Sequence, residues 1–133
     1  MIDRALGLPL DPATRAKAMF LRGTAHLAAG QHAAAREDLS RAIAGPLAED
    51  LKSAARNNLG IALYRAGNAA EAIRQFEAAG AASAQATLNL AIALHDRGDA
   101  ARALPLYERY MKLGGPRSDE VKEWVDDLRR IYR

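Results

Sequence analysis

The stretch NNLGIALYRAGNAAEAIRQFEAAG, residues 57–80, decides the fold. Gly67 stands where a helix must stop, because glycine reaches the positive φ that closes a helix C-terminus without steric cost. The residues after it restart a helix: Asn68 is a strong N-cap, and Glu71 three positions on completes a capping box. Gly60 and Ala72 are small enough to let the two helices approach closely, and Phe76 one turn further is expected to fill the space between neighbouring pairs. The segment therefore reads as one helix–turn–helix hairpin.

Two further segments align with it without gaps: FLRGTAHLAAGQHAAAREDLSRAI from Phe20 and LNLAIALHDRGDAARALPLYERYM from Leu88. Gly23, Gly60 and Ala91 coincide, as do Gly30, Gly67 and Gly98, then Ala35, Ala72 and Ala103, then Leu39, Phe76 and Tyr107. The turn glycines stand 37 and then 31 residues apart, which brackets a period of about 34 residues. Through this pattern the chain resembles the tetratricopeptide repeat family over roughly Ala16 to Gly115. The resemblance implies an all-α, right-handed solenoid of antiparallel helix pairs with about seven helices in all. The expected organisation is one domain over 1–133: an N-terminal segment 1–11, repeats at 12–45, 46–82 and 83–115, and a capping helix at 116–133.

The ends and connectors support that division. Asp11-Pro12 is a helix start with proline at the first helical position. Gly45-Pro46 is expected to stop one helix and start the next, which should be about one turn longer than usual. Ser83 and Asp99 are good N-caps and Gln31 a poor one. After Gly114-Gly115-Pro116, Ser118 is expected to cap a final helix in which Val121, Trp124, Val125, Leu128 and Ile131 recur at helical spacing. Asp119 and Glu120 in its first turn and Arg129, Arg130 and Arg133 in its last match the helix dipole. Terminal helices of this kind cover the open core of a repeat array. Some positions depart from the family pattern. Arg22 and His26 stand where apolar residues are usual, Tyr110 where a small one is, and Pro105 should kink its helix or shift its start.

Composition excludes several classes of function. Half of the residues are apolar, mostly through alanine, with 5% aromatics; strand formers are scarce and no run alternates long enough for a half-buried strand, so no sheet is expected. The net charge of +3 is spread along the chain and does not point to nucleic acid. There is no cysteine, hence no disulfide, thiolate nucleophile or cysteine-based zinc site. His26, His32 and His95 lack metal-ligand spacing with carboxylates, and no nucleophile turn or phosphate-cradling loop occurs. No cofactor, no metal and no enzymatic activity are expected. No stretch near Met1 resembles a signal sequence, and none approaches the roughly 20 apolar residues of a membrane span. The default expectation is a cytoplasmic protein without membrane insertion. Ile2 to Leu10 reads as the tail of an earlier helix, so an upstream targeting signal in a longer chain stays open.

What remains is binding. The resemblance places the ligand on a concave groove lined by the first helix of each pair. The groove set is Lys17, Phe20, Leu21, Thr24 and Leu27; Asn57, Asn58, Ile61, Tyr64 and Arg65; and Gln85, Leu88, Asn89, Ile92, His95 and Asp96. Asn58 and Asn89 are equivalent positions whose amides can donate to and accept from an extended peptide backbone. Some relatives clamp the C-terminal carboxylate of heat-shock chaperones with Lys, Arg and Asn. Here Phe20 and Thr24 replace the expected Lys and Asn, and Gln85 and Asn89 the basic pair, so that clamp is not reproduced. An apolar groove implies an amphipathic helix or a short apolar peptide, anchored by Phe20, Ile61, Tyr64, Leu88 and Ile92. Two alternatives stay open. The chain's own Ile2, Leu6, Leu8 and Leu10 could cover part of this surface, or the domain could self-associate as the assembly module of a larger, bacterial-type complex.

Overall fold

The computed structural model of the chain describes residues 10–81 and 83–132. Among them are seven helices and no strand: α1 (Pro12–Ala28), α2 (His32–Ala44), α3 (Glu49–Arg65), α4 (Ala69–Ala79), α5 (Ala84–Asp96), α6 (Ala100–Lys112) and α7 (Ser118–Ile131). The chain divides into two compact units with the boundary between Ala79 and Gly80. The first unit holds the hairpins α1–α2 and α3–α4, and the second holds α5–α6 with α7 packed on α6. The expectations for Ile2, Leu6 and Leu8 lie outside the described residues, and Leu10 is half-buried.

Each hairpin turn follows from its glycine. Gly67 has φ +90°, its N–H donates to the Tyr64 carbonyl at 3.1 Å and the Asn68 N–H reaches back to Leu63 at 2.8 Å. These two bonds satisfy carbonyls that the end of α3 would leave unpaired. Gly30 and Gly98 close α1 and α5 through the same bond pair, from Gly30 to Leu27 and Gln31 to His26, and from Gly98 to His95 and Asp99 to Leu94. N-caps complete the ends. Asp11 accepts from the Thr14 N–H at 2.8 Å, Ser83 from Ala86 at 3.2 Å and Asp99 from Arg102 at 3.2 Å. Asn68 accepts from the Glu71 N–H at 3.4 Å, the forward half of a capping box, while the Glu71 carboxylate accepts from Arg74 and Gln75. Gln31 makes no side-chain cap.

The small residues set the interhelical distance. A Cβ added at Gly60 would lie 2.5 Å from Phe76 Cε1, and one at Gly23 would lie 2.8 Å from Leu39 Cγ. Ala35, Ala72 and Ala103 are fully buried. Leu39 and Phe76 thus pack onto the glycine of the first helix of their own hairpin, both buried.

Other details also differ from the sequence reading. α3 starts at Glu49 and not at Pro46, because Gly45 is extended and Leu47 first tucks into the core. Its 17 residues equal those of α1 and exceed the 13 of α5. Ser118 is the first residue of α7 and not its cap; its hydroxyl donates back to the Gly115 carbonyl at 2.6 Å. Pro105 does not shift the start of α6, which runs from the Asp99 cap to Lys112. The ring is exposed, as is Ala101, whose carbonyl loses its helical donor and can turn to water. In α7, Val121, Val125 and Leu128 are buried but Ile131 is 70% exposed. At about 100° per residue, Ile131 has rotated some 80° away from Val121. Tyr110 is buried against Gly115, and its hydroxyl accepts from the Arg117 N–H at 2.8 Å, tying the loop before α7 to α6.

Candidate protein-interaction face

In the first unit, α1 and α3 run parallel, since each is antiparallel to α2: Ala16 near the start of α1 meets Gly45 after α2, and His32 and Ala33 share a cleft with Ala62 and Ala66. One hydrogen bond sets their register. The Thr24 hydroxyl donates to the Phe20 carbonyl at 2.8 Å and accepts from Asn58 Nδ2 at 3.2 Å. Around that link Phe20, Ile61 and Tyr64 are half-buried, Leu21 is 46% exposed, and Lys17 and Arg65 are exposed at opposite ends. Asp50, in the first turn of α3, shares the Lys17 end. Leu27 and Asn57 are buried. Of the residues expected from copies one and two, Phe20, Leu21, Ile61 and Tyr64 are the partly exposed apolar ones, beside Thr24 and Asn58 and between the exposed Lys17 and Arg65, whereas Leu27 and Asn57 lie in the core.

The sequence flagged Arg22 and His26 as departures without finding what they meet. Both turn to Asp38 on α2. Arg22 makes a two-pronged ion pair with Asp38 at 2.7 Å for each prong, and His26 Nε2 lies 3.6 Å from the same carboxylate. His26 Nδ1 and Gln31 Oε1 are 2.5 Å apart. Asp38 is 4% exposed, so this is a nearly buried charge held by a planar guanidinium, the geometry in which such a pair is tolerated. It replaces apolar packing in the first hairpin. The available signal was Asp38 itself, a carboxylate directly before the buried Leu39 on the packing side of α2.

In the second unit, α5 presents Gln85 exposed, Asn89 and Ile92 half-buried and His95 exposed, whereas Leu88 is 1% exposed and belongs to the core. Gln85 donates to Asn89 Oδ1 at 3.4 Å. Of the two equivalent amides, Asn58 donates across to Thr24 on α1 and Asn89 accepts along its own helix from Gln85. His95 reaches inward as well. Its Nδ1 lies 2.9 Å from the Tyr107 hydroxyl, with the two rings edge-on at 5.8 Å. Burial, and secondarily the Asp96 carboxylate, push the Tyr107 phenol up to about 12. Tyr107 in turn meets Trp124 edge-on at 5.6 Å, and the Arg117 guanidinium sits 5.3 Å over the Trp124 ring. Arg117 also pairs with Glu120 at 2.9 Å, which holds that carboxyl below its ordinary range. Trp124 is half-buried as part of the cap packing.

Among the described residues no group of His, Asp and Glu could hold a metal ion, and no helix is long and apolar enough to cross a membrane. Paired helices closed by glycine turns, with an apolar strip on the first helices, define a helical-repeat protein-interaction scaffold. The chain belongs to the tetratricopeptide repeat family, whose model matches residues 3–50, 20–83 and 58–117. Among solved structures it is similar to a crystal structure of MamA, at 18% identity and a TM-score of 0.73 over 97% of this chain and 83% of that one. It is also similar to a crystal structure of MamA protein, at 20% identity and a TM-score of 0.68 over 89% of this chain and 63% of that one. At these identities the likeness concerns the fold. No curated protein matches the chain by sequence.

Proposed function

We propose that the protein is a non-catalytic adaptor that holds an amphipathic helix or short apolar peptide on its first helices. The observation that carries this reading is the strip of Phe20, Leu21, Ile61 and Tyr64 on α1 and α3, apolar and only partly covered around the Thr24–Asn58 hydrogen bond. Partly exposed aromatic and aliphatic side chains on a rigid helical face are the usual anchors of helix-in-groove recognition. Asn58 spends one N–H on Thr24, and its second N–H and its carbonyl oxygen serve the ligand backbone. Lys17 and Arg65 mark the rims. Within the first unit Leu27 and Asn57 support the strip from the core; in the second unit Gln85, Asn89, Ile92 and His95 on α5 form a set of their own above the buried Leu88.

A library of displayed amphipathic helices of about four turns, selected on the wild-type chain, tests the proposal. Selected peptides should lose at least about tenfold in affinity toward Ile61→Glu, since the carboxylate would be desolvated in an apolar contact. Peptides that bind the variant unchanged would remove the strip from consideration. A second reading, self-association, is favoured by Ile131 and Tyr132, 70% and 66% exposed at the end of α7. A mass by light scattering that rises with concentration, and falls back in Ile131→Lys with Tyr132→Lys, would support it; a constant monomer mass would not.

A further inference from the structure

His95, Tyr107 and Trp124 form an unbroken line through the second unit, from the exposed side of α5 across the buried centre of α6 to the cap helix α7. Each link is directional. With its proton on Nε2, a neutral His95 offers the Nδ1 lone pair to the Tyr107 O–H at 2.9 Å. A protonated imidazole carries N–H at both nitrogens and has no lone pair to offer. The bond then survives only if the phenol becomes the acceptor, and its own proton must find another partner. That is difficult for a residue 1% exposed, because a buried hydroxyl proton without an acceptor costs free energy. The phenol cannot release the proton either, since its pKa is raised. Whether the exposed imidazolium turns to water or stays as a donor, the Tyr107 hydroxyl has lost its acceptor, and a ring that moves to find another shifts the T-shaped contact with Trp124.

We propose that His95 is a proton-operated switch on the cap helix: protonating its imidazole displaces the Tyr107 ring and with it the seat of Trp124 on α7. The titratable group against His95 is Tyr107 from α6; Asp96, next to it on its own helix, is close enough to Tyr107 to act on the phenol, Arg97 follows in sequence, and from the α7 side Trp124 with the Arg117 guanidinium over its ring meets Tyr107. The bond to Tyr107 is what distinguishes the neutral form of His95 from the protonated one. Because His95 also belongs to the proposed set on α5, the switch would couple that helix to α7. The switch itself requires no ligand and stands or falls apart from the binding proposal.

The chain has one tryptophan, so emission from the full-length protein reports Trp124 alone. Emission is followed from about pH 8 to about pH 5, the interval in which imidazoles titrate, with far-UV circular dichroism confirming that the helices persist. The expected result is a one-proton shift of the emission maximum whose midpoint matches the His95 ring-proton titration by NMR. In His95→Gln the emission shift should vanish. In Tyr107→Phe, which keeps the ring and removes the hydroxyl, the His95 titration should persist while the emission shift is lost. A flat wild-type emission curve overturns the proposal, as does a shift that survives His95→Gln, which would assign it to another group. A full shift in Tyr107→Phe overturns the hydroxyl as the link.

Discussion

Replacing Gly60 by alanine sets two physical effects against each other, and the structure decides between them. Alanine is the better helix former by about 1 kcal/mol, so on propensity alone Gly60→Ala stabilises α3. The added methyl, however, would meet three atoms of one ring, Phe76 Cε1 at 2.5 Å, Cδ1 at 2.6 Å and Cζ at 3.0 Å, where ordinary carbon contacts begin near 3.5 Å. Either the ring or the helix must retreat by about 1 Å, and Phe76 is almost wholly buried with the fully buried Ala72 beside it in α4. Overpacking of this kind costs about 1–3 kcal/mol, so after the propensity gain the expected net effect is a loss of up to about 2 kcal/mol. Urea unfolding followed by far-UV circular dichroism measures it, and Phe76→Leu alone and combined with Gly60→Ala completes a cycle. At least half of the alanine cost should disappear in the leucine background. A higher urea midpoint for Gly60→Ala would refute the argument that Phe76 sets the α3–α4 distance.

The Arg22–Asp38 pair and the phenol of Tyr107 give two further expectations. Arg22→Leu should cost roughly 2–3 kcal/mol by urea unfolding, because it strands a nearly buried carboxylate, whereas Arg22→Leu with Asp38→Leu should recover most of that loss; equal losses in the single and double variants would contradict it. Tyr107 ionises less readily folded than unfolded, so its contribution is complete below about pH 10 and is lost as pH rises towards 12. The Trp124-reported urea midpoint should therefore fall between about pH 9 and about pH 11 by an amount equivalent to roughly 1 kcal/mol, and fall less in Tyr107→Phe.

Hairpin structure was legible because it depends on local chemistry. Gly30, Gly67 and Gly98 are needed for a backbone conformation, and Asp11, Ser83 and Asp99 for hydrogen bonds to N–H groups three residues away. Both requirements are written within a few positions of the residue that meets them. Starts set by distant packing were less legible. Pro46 has the right φ for a first helical residue, yet burial of Leu47 postpones α3; at Ser118 a competing local bond, to the Gly115 carbonyl three residues back, takes the hydroxyl from the cap. The candidate strip was readable as a set of positions, since the repeat alignment places equivalent residues on the same side of each first helix. Whether each position is surface or core was not, as Leu88 illustrates: it aligns with Asn57, and both lie in the core. Arg22 and Asp38 were hardest, because an ion pair between separate helices leaves no periodic trace.

The third hairpin departs from the first two at the two positions that close a pair, and the departures belong together. Where α1 and α3 have glycine, α5 has Ala91, and where α2 and α4 have Leu39 and Phe76, α6 has Tyr107. In the first two hairpins the large side chain ends against a missing Cβ. Tyr107 is instead extended by a hydroxyl that needs a partner and an edge that needs a neighbour, and the structure supplies both, from His95 and from Trp124. The hydroxyl confines the ring to one seat on α5, and the edge presents that seat to α7. A leucine at this position would fill volume but could not carry position from one helix to the next, because it has no directional bond to lose. The repeat thus retains the large residue that closes every hairpin, and in the last copy it is a residue able to attach the cap.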